Sequence, residues 1–147
     1  MRMWHHRLIQ YLPDSLIIQQ FRDLSIIINQ VLNNGKPKSP VVQPLMQYPW
    51  HEFYEYCCLV LSEMHERNLD ITIPETRLLC KLENARDAFN TTPPTELIFS
   101  GWHNDRYLNQ CLYMLEELYD VGVISQKDWF TISRSEPVLS CDNHIPF

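Results

Sequence analysis

Glycine is scarce in this chain, and the short motifs that identify many enzyme classes are missing. Its 147 residues include 3 glycines, and none of them lies in a phosphate-binding loop or a dinucleotide-binding fingerprint. The sequence also contains no H-E-x-x-H, no G-x-S-x-G and no C-x-x-C. These absences exclude zinc protease, α/β-hydrolase and zinc-finger assignments on motif grounds.

Long apolar runs are also missing, since none approaches the roughly 20 residues that span a bilayer. The start of the chain has neither the basic-then-apolar pattern nor the small-residue cleavage site of a signal peptide. We therefore expect a cytoplasmic protein without a membrane segment. The five cysteines are odd in number, which does not suggest a disulfide framework. Cys57, Cys80 and Cys111 fall within apolar helical patterns, so we expect buried thiols there.

Charge is unevenly distributed along the chain. The net charge is -6, yet residues 1–38 carry five Lys or Arg against two Asp, so residues 39–147 carry the entire acidic excess. An acidic protein does not attract nucleic acid over its whole surface, because phosphate contacts supply most of the nonspecific affinity. The basic start of the chain could still hold a phosphate locally.

Apolar residues recur at helical spacing in four parts of the chain, whereas strand signals are weak. Pro13 suits the first turn of a helix that ends at Gly35. Further helices are predicted from Pro49, from Pro74 and after Asn104. The first helix has an expected core stripe of Ile17, Phe21, Leu24, Ile28 and Val31.

The connections and the end of the chain are predicted to be less regular. Residues 36–44 read as a Pro-marked loop, and Ser125 followed by Asp128 predicts a short capped helix. Residues 133–147 show two prolines and little periodicity. We predict a single all-α domain over residues 1–147, with about four main helices and a short helical or irregular carboxyl-terminal segment.

The amino terminus carries residues from which a catalytic site could be built. Met1 precedes the bulky Arg2, so this methionine is expected to be kept. An α-amine titrates near 7.7–8.0 and is partly neutral and nucleophilic at cellular pH. Asp23 on the first helix could accept a proton, while Arg2 and Arg22 could bind phosphates. Alternatively, Arg22 and Asp23 lie on a solvated helix face and have no catalytic role.

Three more side chains near the amino terminus are possible substrate contacts. Gln19 shares a face of the first helix with Arg22 and Asp23. His5 and His6 are adjacent, so they would not share one face of a regular element, and they predict no metal site. Surface or phosphate-contacting histidines are the favoured interpretation.

Several short blocks, in this order, resemble the phage pyrimidine-dimer DNA glycosylase family of the endonuclease V type. The first block is Met1-Arg2-Met3, then Leu12, Asp14 and Phe21-Arg22-Asp23-Leu24. The others are Asn34-Gly35-Lys36 and the helical stretch from Phe53 through Ile71. The opening Met-Arg-x-Trp-His is also similar to bacterial relatives. The resemblance covers roughly residues 1–75 well and the rest loosely.

The resemblance implies a mostly helical domain that removes a base at a pyrimidine dimer in double-stranded DNA and then cleaves the strand. The α-amine of Met1 would attack the sugar, and Asp23 would be the catalytic carboxylate. Phosphate contacts would come from Arg2, Arg22 and Lys36. The resemblance implies no metal and no cofactor, and a monomer acting on damaged DNA.

The chain departs from the family pattern at three points. Asp23 stands where the family has the longer Glu, and a displacement of about 1 Å at a catalytic group can cost on the order of a hundredfold in rate. The family's helix His falls at Ser15-Leu16 and has no match, and its basic, aromatic carboxyl-terminal run is absent. Two alternatives therefore stay open. One is a noncatalytic helical interaction module, and the other is an amine-nucleophile enzyme on a small nucleoside or sugar.

Overall fold

The computed structural model describes residues 1–69 and 72–140, without the side chains of residues 72 and 73. The α-helices are α1 (Asp14–Asn34), α2 (Trp50–Glu66), α3 (Thr72–Asn84), α4 (Asp105–Asp120), α5 (Gln126–Ser133) and α6 (Glu136–Leu139). Short 3-10 helices lie at His6–Tyr11, Gln43–Gln47 and Arg86–Ala88. The described residues form no strand beyond an isolated bridge between Pro49 and Asn90. The all-α fold is confirmed.

Helix α1 forms because its start, its apolar stripe and its end agree. Asp14 lies in the first turn, where a carboxylate is favourable at the positive end of the helix dipole. Gly35 ends the helix with a φ of 79°, which glycine adopts without steric cost. All five residues of the expected stripe are buried: Ile17, Phe21, Leu24, Ile28 and Val31. The predicted extent and core face of this helix are confirmed.

Helices α2 and α3 pack against α1. Helix α2 follows Pro49, as predicted, and its buried residues include Phe53, Tyr56, Cys57, Val60 and Met64. Helix α3 begins two residues before Pro74, where the sequence predicted its start. Ala85 and Phe89 follow the end of this helix and are buried as well. Ile71, the last residue of the helical stretch that carries the resemblance to the glycosylase family, lies outside the described residues.

Helices α4 and α5 both begin at capped turns. The Asn104 side chain accepts a hydrogen bond from the Tyr107 N–H at 3.0 Å, and the Ser125 hydroxyl accepts one from the Asp128 N–H at 3.1 Å. Such caps satisfy N–H groups that have no partner within the helix. Leu108, Leu112 and Leu115, which were expected on the apolar side of α4, are buried, whereas Tyr119, also expected there, is half-buried.

Three details differ from the sequence-based expectations. The predicted loop of residues 36–44 runs into the 3-10 helix Gln43–Gln47, which has a proline in its first turn. Residues 133–147 were predicted to be either helical or irregular, and they include the short helix α6. The Val138 side chain of this helix is fully buried in the core. Residues 141–147 lie outside the described part of the chain. Cys80 is exposed on α3, so the expectation of a buried thiol there is wrong.

A buried carboxylate holds the loop that leads into α4. Glu52 is 2% exposed, and its two oxygens accept hydrogen bonds from the N–H groups of Phe99 at 2.8 Å and Thr95 at 3.4 Å. Phe99 has a φ of 54°, an uncommon conformation for a residue with a side chain. Its carbonyl accepts hydrogen bonds from Trp102 and His103. This turn places His103 against the start of the chain.

None of the helices in the described part of the chain combines the length and the apolar composition that crossing a lipid bilayer requires.

Candidate active site at the amino terminus

Residues 1–5, the amino-terminal segment, are held against α1 by Gln20. The Gln20 side chain is fully buried. Its Nε2 donates to the Arg2 carbonyl at 3.0 Å, and its Oε1 accepts from the Trp4 N–H at 2.8 Å. One amide side chain thus pairs with the backbone as a neighbouring strand would. The segment therefore satisfies buried backbone groups without joining a helix or a sheet.

Two buried tyrosines hold two further carbonyls of the segment. The Tyr107 hydroxyl donates to the Met3 carbonyl at 2.6 Å, and the Tyr56 hydroxyl donates to the Trp4 carbonyl at 2.6 Å. Burial raises the pKa of both hydroxyls, so both remain protonated donors at neutral pH. Helices α1, α2 and α4 therefore fix three consecutive residues beside Met1.

Gln20, which holds Arg2 and Trp4, lies three residues before Asp23 on α1. Asp23 is therefore about 4.5 Å of helix rise beyond Gln20. Met1, which precedes Arg2, is 47% exposed. The meeting of amine and carboxylate at one sugar carbon stays a prediction.

The predicted site residues of α1 are partly brought together. Gln19 Nε2 donates to the Asp23 carboxylate at 3.0 Å, and Arg22 is exposed beside them. Burial is the main cause of the raised pKa of Tyr56, and the Asp23 carboxylate adds to it, so Asp23 lies near the segment's anchor. Lys36 follows the far end of α1, at least about 16 Å along the helix from Asp23. The structure does not bring Lys36 to this group.

Arg2 lines a cleft next to the amino-terminal segment. Its guanidinium carbon lies 5.7 Å from the centre of the Tyr107 ring. Its Nε is buried and has no hydrogen-bond partner among the described residues. The cleft has a volume of about 310 Å³ and is also lined by Trp102 and Arg106. Guanidinium groups bind phosphates and aromatic rings stack on bases, so this cleft has the chemistry of a nucleotide contact.

Three histidine rings meet where the segment reaches the turn before α4. His5 and His103 are 2% and 7% exposed, and His6 is half-buried. The His5 ring centre lies 4.7 Å from that of His6 and 5.1 Å from that of His103. His5 and His6 were not expected to share one face of a regular element, and their rings meet although they do not lie in the same helix. His5 caps the 3-10 helix instead of lying inside it, so helix periodicity does not separate the two rings.

Burial sets the protonation of these rings. It is the main cause that lowers the pKa of His5 to about 3, of His6 to about 4 and of His103 to about 2. Positive charge on neighbouring histidines, or on Arg7, lowers these values further. The three imidazoles are therefore uncharged at neutral pH. A charged contact between these histidines and a phosphate is disfavoured, and their role as substrate contacts stays a prediction.

Sequence analysis missed the anchors of the segment. A signal existed for Gln20, because it falls on the apolar stripe between Ile17 and Leu24 and so had to be buried. For Tyr107 and His103 no local signal existed. They look like packing residues at a helix start, and only the tertiary fold brings them to Met3 and His5.

Replacing Gln20 with Leu tests this anchoring. We expect the free energy of unfolding to fall by about 2–4 kcal/mol, because the Trp4 N–H and the Arg2 carbonyl lose their partners in a buried position. Urea unfolding followed by circular dichroism measures the change. Gln19→Leu is the matched control on the exposed face, with an expected change within about 0.5 kcal/mol. Equal losses in the two variants would contradict the anchoring role.

The fold and the site define a helical protein whose amino-terminal segment is held by buried side chains next to a cleft lined by Arg2, Trp102 and Arg106. Residues 1–76, just over half of the chain, match the family described as pyrimidine dimer DNA glycosylase. The chain belongs to this family of DNA glycosylases, and membership implies binding to DNA. No curated protein and no solved structure matches the chain. The matched region includes Gln20 and Asp23 but not Tyr107 or His103.

Proposed function

We propose that this protein excises a damaged base, with a pyrimidine dimer as the family's lesion, and cleaves the strand at the resulting abasic site. Its nucleophile is the α-amine of Met1. The observation that carries the proposal is the anchoring of the amino-terminal segment by Gln20, Tyr56 and Tyr107. A chain end that is merely solvated does not need three buried side chains to hold its backbone.

The proposed chemistry uses the chain's own groups. The neutral amine attacks the sugar C1′, the bond from C1′ to the base breaks, and the base leaves with the electron pair and a proton. Opening of the sugar ring gives an imine between Met1 and C1′. Loss of a C2′ proton then expels the 3′ phosphate by β-elimination, and water releases the amine. The half-buried Asp23 carboxylate is proposed to stabilise the developing sugar cation and to move these protons.

The acidic net charge does not oppose this proposal, because the basic groups are local. Arg2, Arg22 and Arg106 lie on or near the surface around the amino terminus. The cleft between Arg2 and Trp102 could receive a nucleotide beside the reacting sugar, since glycosylases take their target base out of the stack. Lys36 is far enough along α1 to contact a more distant phosphate of the same duplex.

Borohydride trapping on an abasic-site oligonucleotide tests the proposal directly. Reduction of the imine gives a stable covalent adduct between protein and DNA. Peptide mass spectrometry of that adduct should locate the attachment at Met1 and not at Lys36, Lys38 or another lysine. An adduct on a lysine would overturn the assignment of the nucleophile, and no adduct at all would favour the noncatalytic module.

Salt dependence tests the DNA contacts independently of the chemistry. We expect the logarithm of the association constant for duplex DNA to fall linearly with the logarithm of salt concentration, by about 0.9 per phosphate contact. Arg22→Ala should reduce the slope by about 1. Arg86→Ala is the control, because its guanidinium already pairs with Glu83 at 3.6 Å. Binding that does not change with salt would contradict a phosphate interface.

A further inference from the structure

We infer that His5, His6 and His103 form a binding site for one divalent transition-metal ion of the Zn²⁺ type, which ties the amino-terminal segment to the turn before α4. The candidate ligand nitrogens of these rings all lie within 4.8 Å of one another. Imidazole is a preferred ligand for Zn²⁺ and its neighbours in the transition series. The inference does not depend on the proposed glycosylase chemistry.

Hydrogen bonding determines which nitrogens offer lone pairs. His5 Nε2 lies 2.9 Å from the His103 carbonyl, which can only accept, so Nε2 carries the hydrogen and Nδ1 has the lone pair. That lone pair accepts the Arg7 N–H at 3.2 Å, and His103 Nδ1 accepts the His6 N–H at 3.1 Å. A bound ion would therefore take the place of these two backbone hydrogen bonds. Metal-binding histidines commonly donate their other ring N–H to a backbone carbonyl, as His5 does.

The spacing of the rings fits tetrahedral coordination. His6 Nδ1 and His103 Nδ1 are 3.3 Å apart. Two imidazole nitrogens on a tetrahedral zinc ion, each at about 2.0–2.1 Å, are separated by about 3.3–3.4 Å. The ligand nitrogen of the third ring lies at most 4.8 Å from the other two nitrogens. It therefore has to move closer by at most about 1.4 Å to reach the tetrahedral separation.

The protein alone does not complete the polar contacts of His103. Its Nε2 is buried without a hydrogen-bond partner among the described residues, although the residue is 7% exposed. Its Nδ1 accepts the His6 backbone N–H and lies 3.3 Å from the His6 ring Nδ1. His6 Nδ1 can bind an ion when the hydrogen of that ring is on Nε2. Three protein ligands leave a fourth position for water on the half-buried side of His6.

The test is a metal titration of the full chain without a histidine tag. The protein is first stripped with a chelator, and Zn²⁺ is then added in competition with a chromophoric chelator. We expect one equivalent to bind and the melting temperature to rise, since an ion that binds the folded state stabilises it. Co²⁺ in the same site should give the visible absorption of a tetrahedral complex.

Variants separate this site from incidental binding elsewhere. His6→Ala and His103→Asn should each weaken Zn²⁺ binding at least about tenfold and abolish the rise in melting temperature. His51→Ala, which removes an exposed histidine on α2, should bind as the unmodified chain does. If His103→Asn does not fold, His6→Ala decides, because its ring is only half-buried. Less than one equivalent bound, or unchanged affinity in His6→Ala, would overturn the inference.

Discussion

Blocking the α-amine of Met1 should abolish covalent trapping on an abasic site. A short amino-terminal extension turns the nucleophile into an amide nitrogen, which has no available lone pair. Because Met1 is 47% exposed, the extension should leave helix content and melting temperature nearly unchanged. Gel shift of the borohydride-reduced adduct measures the effect.

The same extension placed at the carboxyl terminus is the matched control and should trap like the unmodified chain. The two proteins have identical composition and differ only in which end is covered. If the amino-terminally extended protein traps as well as the control, the reacting amine is a lysine and the proposed role of Met1 is wrong.

Asp23→Asn should lower the rate of base excision by roughly 10²–10⁴, the range that is typical of a positioned acid–base group. The change keeps the side-chain volume and the contact with Gln19 while it removes the charge that stabilises a sugar cation. Imine formation at a ready-made abasic site should fall less, because that step expels no base. Single-turnover assays on a damaged duplex and on an abasic duplex measure the two rates separately.

Two further variants sharpen this result. Asp23→Glu restores the longer side chain of the family pattern, and we expect it to retain most of the activity or to exceed it. Asp120→Asn removes an exposed carboxylate at the end of α4 and should leave both rates unchanged. Equal losses on the damaged and the abasic substrate in Asp23→Asn would mean that the carboxylate positions the protein and does not assist excision.

The sequence predicted the helical fold well because helix formation here follows from local patterns. The stripe from Ile17 to Val31, the glycine at 35 and the cap at Ser125 are all short-range signals, and each holds in the structure. The errors lie where burial depends on neighbours. Cys80 fits an apolar spacing, yet α3 presents it to solvent, because spacing cannot say which side of a helix another element covers.

Only the part of the candidate site that lies within residues 1–76, the residues that match the family, could be predicted from the sequence. Met1, Arg2 and Asp23 were predicted from the amino terminus and the resemblance, whereas no local signal marked His103. The histidine cluster is invisible to periodicity, because two of its members are adjacent and the third lies almost 100 residues away. Such a group arises from the tertiary fold alone. It depends on the turn that Glu52 and Phe99 hold before α4.

The contacts that fix the amino-terminal segment also set the order in which the domain can be completed. The bond from Tyr107 to Met3 spans 104 residues, and the bond from His5 to His103 spans 98. During synthesis the segment leaves the ribosome long before α4 exists, so its docking surface is incomplete for most of that time. Contacts of such long range also form slowly, because a large loop must close first. The amino-terminal segment should therefore be the last part of the domain to take its place, and until then it stays open to the enzymes that process new chains.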